Sequence, residues 1–330
     1  MTKIAYFSPY FWPEAIGSAP YCTDVARRLA EEGHDVNVWA FRPYYPRADL
    51  FPEWQDGARD EETFDGLKIT RVSPGKRKGG GFAARLNNDL RYFLHSVKAA
   101  FSPRTNGVDC VVAYVPSMFC AIAAAAVARV RGAKLIVVVH DIESGLARSL
   151  GIVRHGFILS AMQALERFGL NRADRVVVLT SGMKDELCAI GCKQPIDVMP
   201  IWSEIYPPHA GTSETVTIGY SGNFGKKQAL DQLLPLIDMI CKQRPDLRVL
   251  LRGDGSEKSA LVAAVQAMGV TNVTFADLVP QEQFVDALQE IDIHLVPQAL
   301  NVANYALPSK LISIMAAGRP TTRLRPRWLR

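Results

Sequence analysis

The chain has 330 residues, 48% of them hydrophobic and 22% charged, with a formal net charge of +5. That length favours two domains of ordinary size over a single core, and the composition excludes a disordered chain. The modest positive charge does not call for nucleic acid, but it suits an anionic ligand or an anionic membrane surface.

The opening MTKIAYFSPYF lacks the long apolar core of a signal peptide and predicts a first strand over residues 3–8. Six scattered cysteines, with no CxxC pair and no histidine at zinc spacing, fit buried thiols in a reducing cytosol. A cytoplasmic protein is expected. The loop PYFWPEAIGSAP follows, then a helix over 21–32 ending at Gly33 and a strand over 35–40. This order is Rossmann-like, yet it has no GxGxxG; only Gly17-Ser18 stands at the helix start, which disfavours a nicotinamide enzyme. Residues 42–65, rich in Pro, Tyr and Trp and without a period, read as a long loop of the kind that carries function.

A strand over 67–72 leads to Lys76-Arg77-Lys78-Gly79-Gly80-Gly81 and a helix over 82–101. That helix carries Arg85, Arg91, His95 and Lys98 among Phe82, Leu86, Leu90, Phe93, Leu94 and Val97. Two readings stand: a basic amphipathic helix lying on an anionic membrane, making residues 76–101 a peripheral contact on its inner face, or a surface helix with solvated cations over a core stripe. Residues 110–128 carry no charge and approach the length of a membrane span. Pro116-Ser117 in their middle instead predicts a buried strand over 108–115 and an alanine-rich helix to Arg131. Strands over 134–139, 175–179 and 196–199 alternate with helices over 156–170 and 181–190, and His140-Asp141 closes the first of these strands. Residues 200–213, with Pro207, Pro208 and Gly211, read as an interdomain crossing.

The pattern restarts at VTIGYSGNFGKK, residues 216–227. An apolar β-branched run passes into Gly219, Gly222 and Gly225, then Lys226 and Lys227, before a helix predicted over 229–241. Glycines let a backbone approach an anion, a helix N-terminus offers unpaired N–H groups and a lysine adds full charge, so a phosphate or diphosphate would sit well there. An ordinary βα turn explains the glycines equally well. Strands over 247–251, 273–275 and 291–296 alternate with helices over 257–268 and 281–289, which means a second parallel sheet covered by helices. Arg252-Gly253-Asp254-Gly255-Ser256 follows one strand end, with Asp254 placed to accept from a ribose or backbone group. Pro308-Ser309-Lys310 opens a helix whose first turn could hold a second face of a diphosphate.

Taken in order, GYSGNFGKKQAL, RGDGSEKSAL, VTFADLVPQEQ, IDIHLVPQ and PSKLISIMAAGRP resemble the nucleotide-sugar domain of GT-B glycosyltransferases of family 4, in the branch that builds exopolysaccharides such as colanic acid. SPYFWPEAIGSAP, FRPYYPRADL and VVVHDIES resemble the acceptor domain of that branch. The resemblance implies an α/β GT-B fold with two Rossmann-like domains facing across a cleft: an acceptor domain over 1–200, a linker over 201–214 and a nucleotide-sugar domain over 215–330. It implies retaining transfer from a nucleoside-diphosphate sugar to a lipid-linked or oligosaccharide acceptor, with no metal, no cofactor and no nucleic-acid partner. By motif match Lys227 is the phosphate-binding lysine, Lys226 its neighbour, and Gly222 with Asn223 the adjoining loop. His140 matches the residue that contacts the donor sugar. Gly17 and Ser18 match the loop that closes over the diphosphate, with Glu14 an acceptor contact beside it. Arg252, Asp254, Gly255, Ser309 and Lys310 complete the expected donor site.

Three departures stand out. Asn223 occupies a place where many relatives have an arginine, and Tyr305 and Ser313 occupy the places of the family's glutamate pair. After Pro320 the chain reads TTRLRPRWLR, where relatives continue with a strand and further helices, so a truncated or frame-shifted C-terminus is expected. The alternatives are an inactive binding remnant, a sugar-nucleotide epimerase and an inverting transferase.

Overall fold

The computed structural model describes residues 1–322 except 15, 16, 46, 76–81, 116, 154, 204, 208–214, 300, 301 and 303. The expected basic hinge, most of the expected crossing and residues 323–330 of the arginine-rich end therefore lie outside the described residues. So does the side chain of Arg85.

Two compact units are present: residues 1–200 with 304–307, and residues 201–303 with 308–330. The first runs β1 (Lys3–Phe7), α1 (Ala19–Glu31), β2 (Asp35–Phe41), β3 (Glu61–Phe64), β4 (Leu67–Val72), α2 (Phe82–Lys98), β5 (Cys110–Val115), α3 (Met118–Arg131) and β6 (Lys134–Val139). It continues through α4 (Glu143–Ser149), α5 (Gly156–Leu170), β7 (Arg175–Val178), α6 (Ser181–Ala189) and β8 (Ile196–Val198). Its sheet has the order β3-β4-β2-β1-β5-β6-β7-β8, parallel except for β3 against β4. Central strands such as KLIVVV in β6 are continuous apolar runs because both faces of a parallel sheet are covered. The uncharged stretch 110–128 is β5 and the start of α3, and among the described residues no helix is long and apolar enough to cross a membrane.

The second unit runs β9 (Thr217–Ser221), α7 (Leu234–Gln243), β10 (Arg248–Arg252), α8 (Lys258–Ala267), β11 (Val273–Ala276), α9 (Phe284–Gln289), β12 (Ile293–Leu295), α10 (Lys310–Ala316) and β13 (Thr321–Thr322). Its sheet is parallel in the order β11-β10-β9-β12-β13. Tyr220, Phe224, Leu233, Ile237, Val249 and Leu251 pack as its core.

Both sheets reverse direction once. In the first the order turns between β1 and β5, and in the second between β9 and β12. At such a point the connections leave to opposite sides and open a crevice at the carboxyl ends of the strands.

Four elements differ from the sequence reading. The helix expected over 229–241 begins only at Leu234; Lys226–Gln228 and Leu230–Leu233 are 3-10 turns around Ala229, whose φ of +49° breaks the path. Pro235 in the first turn fixes the later start. The expected loop over 42–65 contains β3, whose EETF shows an edge strand's alternation of exposed and half-buried positions. The seven-residue α4 was not expected, and the helix from 82 ends as α-helix at Lys98. Residues 304–307 pack in the first unit rather than with the flanking second one: Ile142 donates its N–H to the Tyr305 carbonyl at 2.9 Å, and Asp141 bridges Ala306. All six cysteines are free; Cys22, Cys120 and Cys192 are buried and Cys188 is exposed.

Candidate functional site

At the reversal point of the second sheet, β9 ends in Ser221 and enters the turn Gly222–Gly225, while β10 ends in Arg252 and enters Gly253–Ser256. The two turns are laced together. Gly222 donates to the Arg252 carbonyl at 2.9 Å, Phe224 to Asp254 at 2.8 Å, and Glu257 to Phe224 at 2.9 Å. A Cβ on Gly253 would stand 1.9 Å from the Gly222 carbonyl oxygen, so this glycine serves backbone-on-backbone packing rather than ligand approach. Gly255 likewise lies against Phe224 and the Asn223 side chain. Asp254 caps its own turn, accepting from the Gly255 N–H at 2.8 Å.

Gly222 is different. Its φ is +142°, and a Cβ there would stand 2.7 Å from the Nζ of Lys310. That ammonium lies 3.6 Å from the centre of the Tyr220 ring, whose hydroxyl donates to the Asn223 carbonyl at 2.6 Å. Nζ is buried and has no hydrogen-bond partner among the described residues. Burial pushes its pKa well below the usual lysine value. The first turn of α10, expected to present free N–H groups, has Leu311 and Ile312 already bonded to the carbonyls of Pro308 and Ser309 at 3.0 and 3.1 Å. The group able to bring positive charge to this place is therefore the Lys310 side chain rather than the backbone of the helix start, with Ser309 as N-cap of the helix.

Lys227 is half-buried in the 3-10 turn, and its carbonyl accepts from Ala299 at 3.2 Å, tying the β9 turn to the segment after β12. Lys226 and Asn223 are exposed. Arg252 stands apart from the expected site. Its buried guanidinium donates to the Ala287 carbonyl at 2.7 Å and pairs with Glu290, so it anchors β10 to α9. His294, at the centre of β12, is fully buried, bonds the Leu288 carbonyl at 2.9 Å, and is pushed down to about 4 by burial.

In the first unit His140 follows β6, and its Nε2 lies 2.6 Å from the Tyr114 hydroxyl with the rings 4.6 Å apart. Burial holds Tyr114 far above the usual phenol range, so its hydroxyl stays protonated. Tyr21 of α1 stands 6.1 Å from the His140 ring, which puts the start of α1, with Ser18 as its N-cap and Gly17 exposed before it, on the same edge of the sheet. Glu14, expected to meet an acceptor, is instead buried. One carboxylate oxygen accepts the N–H groups of Tyr44 and Tyr45, each at 2.8 Å, buckling the loop after β1 to the loop after β2. Desolvation raises its pKa to about 7 against the pull of those amides and of Arg71. Arg71, buried in β4, holds the same loop by donating to the Trp12 carbonyl at 2.7 Å and the Phe41 carbonyl at 3.1 Å while pairing with Glu62. Tyr305, at a place of the family's glutamate pair, packs within the first unit: its ring covers Gly145 and its hydroxyl accepts from Arg148 at 2.8 Å, while Ser313 is buried in α10.

Within each unit the structure thus gathers Gly222, Asn223, Gly255, Lys310 and Tyr220 in one place, and Ser18, Tyr21, Tyr114 and His140 in another. Tyr114, Tyr220 and Arg71 were not anticipated. No local signal marks them, because each acts on a residue far away in the chain.

Two families match the chain in succession: the glycosyl transferase 4-like domain over residues 17–202 and the glycosyl transferases group 1 over residues 215–322. WcaI of Escherichia coli K12, whose name assigns it to colanic acid biosynthesis as a glycosyl transferase, is 26% identical over 349 aligned positions, covering 96% of this chain and 81% of WcaI. Among solved structures, sucrose-phosphate synthase of Thermosynechococcus elongatus aligns with a TM-score of 0.76 at 15% identity, over 98% of this chain and 81% of that one. HepE of Anabaena, solved with UDP and glucose, aligns with a TM-score of 0.67 at 14% identity, over 98% and 80%. The chain belongs to the glycosyl transferase 4-like family, with a group 1 glycosyl transferase domain following, and is a glycosyltransferase of the GT-B fold.

Proposed function

We propose that this enzyme moves a sugar from a nucleoside-diphosphate sugar to a lipid-linked or oligosaccharide acceptor in cell-surface polysaccharide biosynthesis, with retention at the anomeric carbon. The observation that carries the donor half of this reading is the buried Lys310 Nζ facing Gly222 at the reversal point of the second sheet. An amine with no hydrogen-bond partner among the described residues, beside a glycine that leaves room for a bulky group, suits a departing diphosphate, whose charge would favour its ammonium form. Lys227, in the neighbouring turn, adds charge from the protein itself, so this reading calls for no cofactor and no metal. Cationic groups aimed at the leaving group lower the barrier most when they are preorganised and shielded from water. His140, fixed by Tyr114, is assigned to the donor sugar, and the Gly17-Ser18 turn to the diphosphate. The assignment to cell-surface polysaccharide draws on the likeness to WcaI.

Nucleoside-diphosphate release from a panel of sugar nucleotides tests the reading. Lys310→Ala and Lys227→Ala are each expected to lower turnover by about 10²-fold or more; full activity in both variants would refute the phosphate roles. Acceptor-independent interconversion of two sugar nucleotides would identify an epimerase, and an inverted product anomer an inverting transferase.

A peripheral membrane contact is supported by α2. Leu86, Leu90 and Leu94 are exposed along one face at helical spacing, Arg91 and Lys98 are exposed beside them, and Phe101 just beyond is 78% exposed. Sedimentation with anionic but not zwitterionic vesicles, abolished by Leu90→Glu, is the expected result.

A further inference from the structure

Lys310 has features that an ordinary phosphate-binding lysine lacks. Its Nζ is buried, is stacked 3.6 Å over the Tyr220 ring and has no hydrogen-bond acceptor among the described residues. Among the described residues no carboxylate shifts it. The titratable groups packed around this place are Tyr220 of β9, whose hydroxyl is turned to the Asn223 carbonyl, and His294 of β12, which feels the charges of Lys310, Arg252 and Arg319. His294 is neutral near pH 7, and the two arginines are cations, already paired with Glu290 and Asp292 respectively. Among the described residues the group against Nζ is the Tyr220 ring face, whose weak field does not replace a hydration shell.

Resting on the donor site proposed above, we infer that the Lys310 amine takes up a proton as a nucleoside diphosphate docks beside Gly222, so that donor binding and protonation of this side chain are one event. Without ligand, burial disfavours the charged form of this amine, and among the described residues no hydrogen-bond acceptor opposes that shift. An incoming diphosphate reverses that balance: a negative charge at contact distance favours the ammonium, and a proton enters from solvent. When the diphosphate leaves, the proton returns to solvent. The site thus gains positive charge as it is occupied. The sign is fixed by linkage: the bound state holds more protons than the free one, so affinity falls as pH rises between the two pKa values.

Calorimetry of UDP, GDP and ADP binding to the full chain, in buffers of different ionisation enthalpy, reads the proton stoichiometry directly. At about pH 8 the terminal phosphate of the probe is already ionised, so the exchanged proton belongs to the protein. The expected result is uptake of about one proton per diphosphate, with affinity falling up to about tenfold per pH unit. Lys310→Arg, permanently charged, is expected to bind without that uptake. Lys310→Met is expected to bind about 10–100-fold more weakly, also without uptake. Binding by the wild-type chain with no proton uptake, or uptake unchanged in the arginine or methionine variant, overturns the inference and leaves the donor site standing. Failure of all three diphosphates to bind removes both.

Discussion

Glu14 in the first unit and Lys310 in the second are both buried ionisable groups next to a sheet's reversal point, and burial shifts each toward its neutral form. They differ in what surrounds them. One oxygen of Glu14 takes two backbone N–H groups, so the carboxylate is built into the loop it buckles. Lys310 Nζ lies against a ring face and has no hydrogen-bond partner among the described residues. A buried polar group with partners is part of the architecture, whereas one left without any costs stability and persists where a ligand completes it. The first unit thus uses its buried carboxylate to join two loops, though its other oxygen has no hydrogen-bond partner among the described residues, and the second keeps an unfinished place at Lys310.

The largest test of this contrast is Arg71→Met. Removing a buried guanidinium strands Glu62 and the carbonyls of Trp12 and Phe41, and should cost about 3 kcal/mol, a fall in Tm of roughly 6–12 °C by calorimetry. A loss below about 1 kcal/mol would mean the loop is held by other contacts.

Glu14 gives a pH signature. Its native pKa of about 7 lies above the unfolded value of 4.5, so the native state keeps a proton that the unfolded chain has lost between these values. The contribution of Glu14 to stability should therefore fall as pH rises from about 4.5 to about 7 and level off above, by roughly 3 kcal/mol, read as the difference between the wild type and Glu14→Gln so that the opposing contribution of His294 cancels. Glu14→Gln keeps an acceptor for both amides and should flatten that window in urea titrations. His294 works in the opposite sense: native pKa about 4, unfolded 6.5, so its contribution is lost as pH falls through that range.

Lys310→Met should raise the stability of the unliganded protein by about 1 kcal/mol while weakening turnover, because it replaces an unpaired buried amine with an apolar side chain of similar reach. A lower Tm would place Lys310 among the structural residues. Smallest is Tyr114→Phe, expected to lower kcat about tenfold with KM for the donor little changed, as a group that fixes His140 would; a pure stability loss with normal kcat would remove that role.

The sheets were legible because parallel strands announce themselves as apolar β-branched runs, and the glycine turn because Gly222 to Lys227 stands directly after one. The side-chain directions were not. Nothing in the sequence tells that Arg252 turns to α9 while Lys310 turns to Gly222, since each depends on residues about 35 to 90 positions away. The apolar period after Lys227 continues through Leu230 and Leu233 and so predicts an earlier helix start, but two 3-10 turns accommodate the same positions. β3 escaped because a polar edge strand lacks the apolar alternation that periodicity detects.

The distribution of thiols has a practical consequence. Burial raises Cys22 to about 12 and holds Cys110, Cys120, Cys192 and Cys241 above the ordinary thiol value, while Cys188 sits exposed on α6. Since alkylating reagents attack the accessible thiolate, a maleimide dye at neutral pH should mark the wild-type enzyme at that position ahead of the others, giving a fluorescent handle on the first unit without any engineered cysteine.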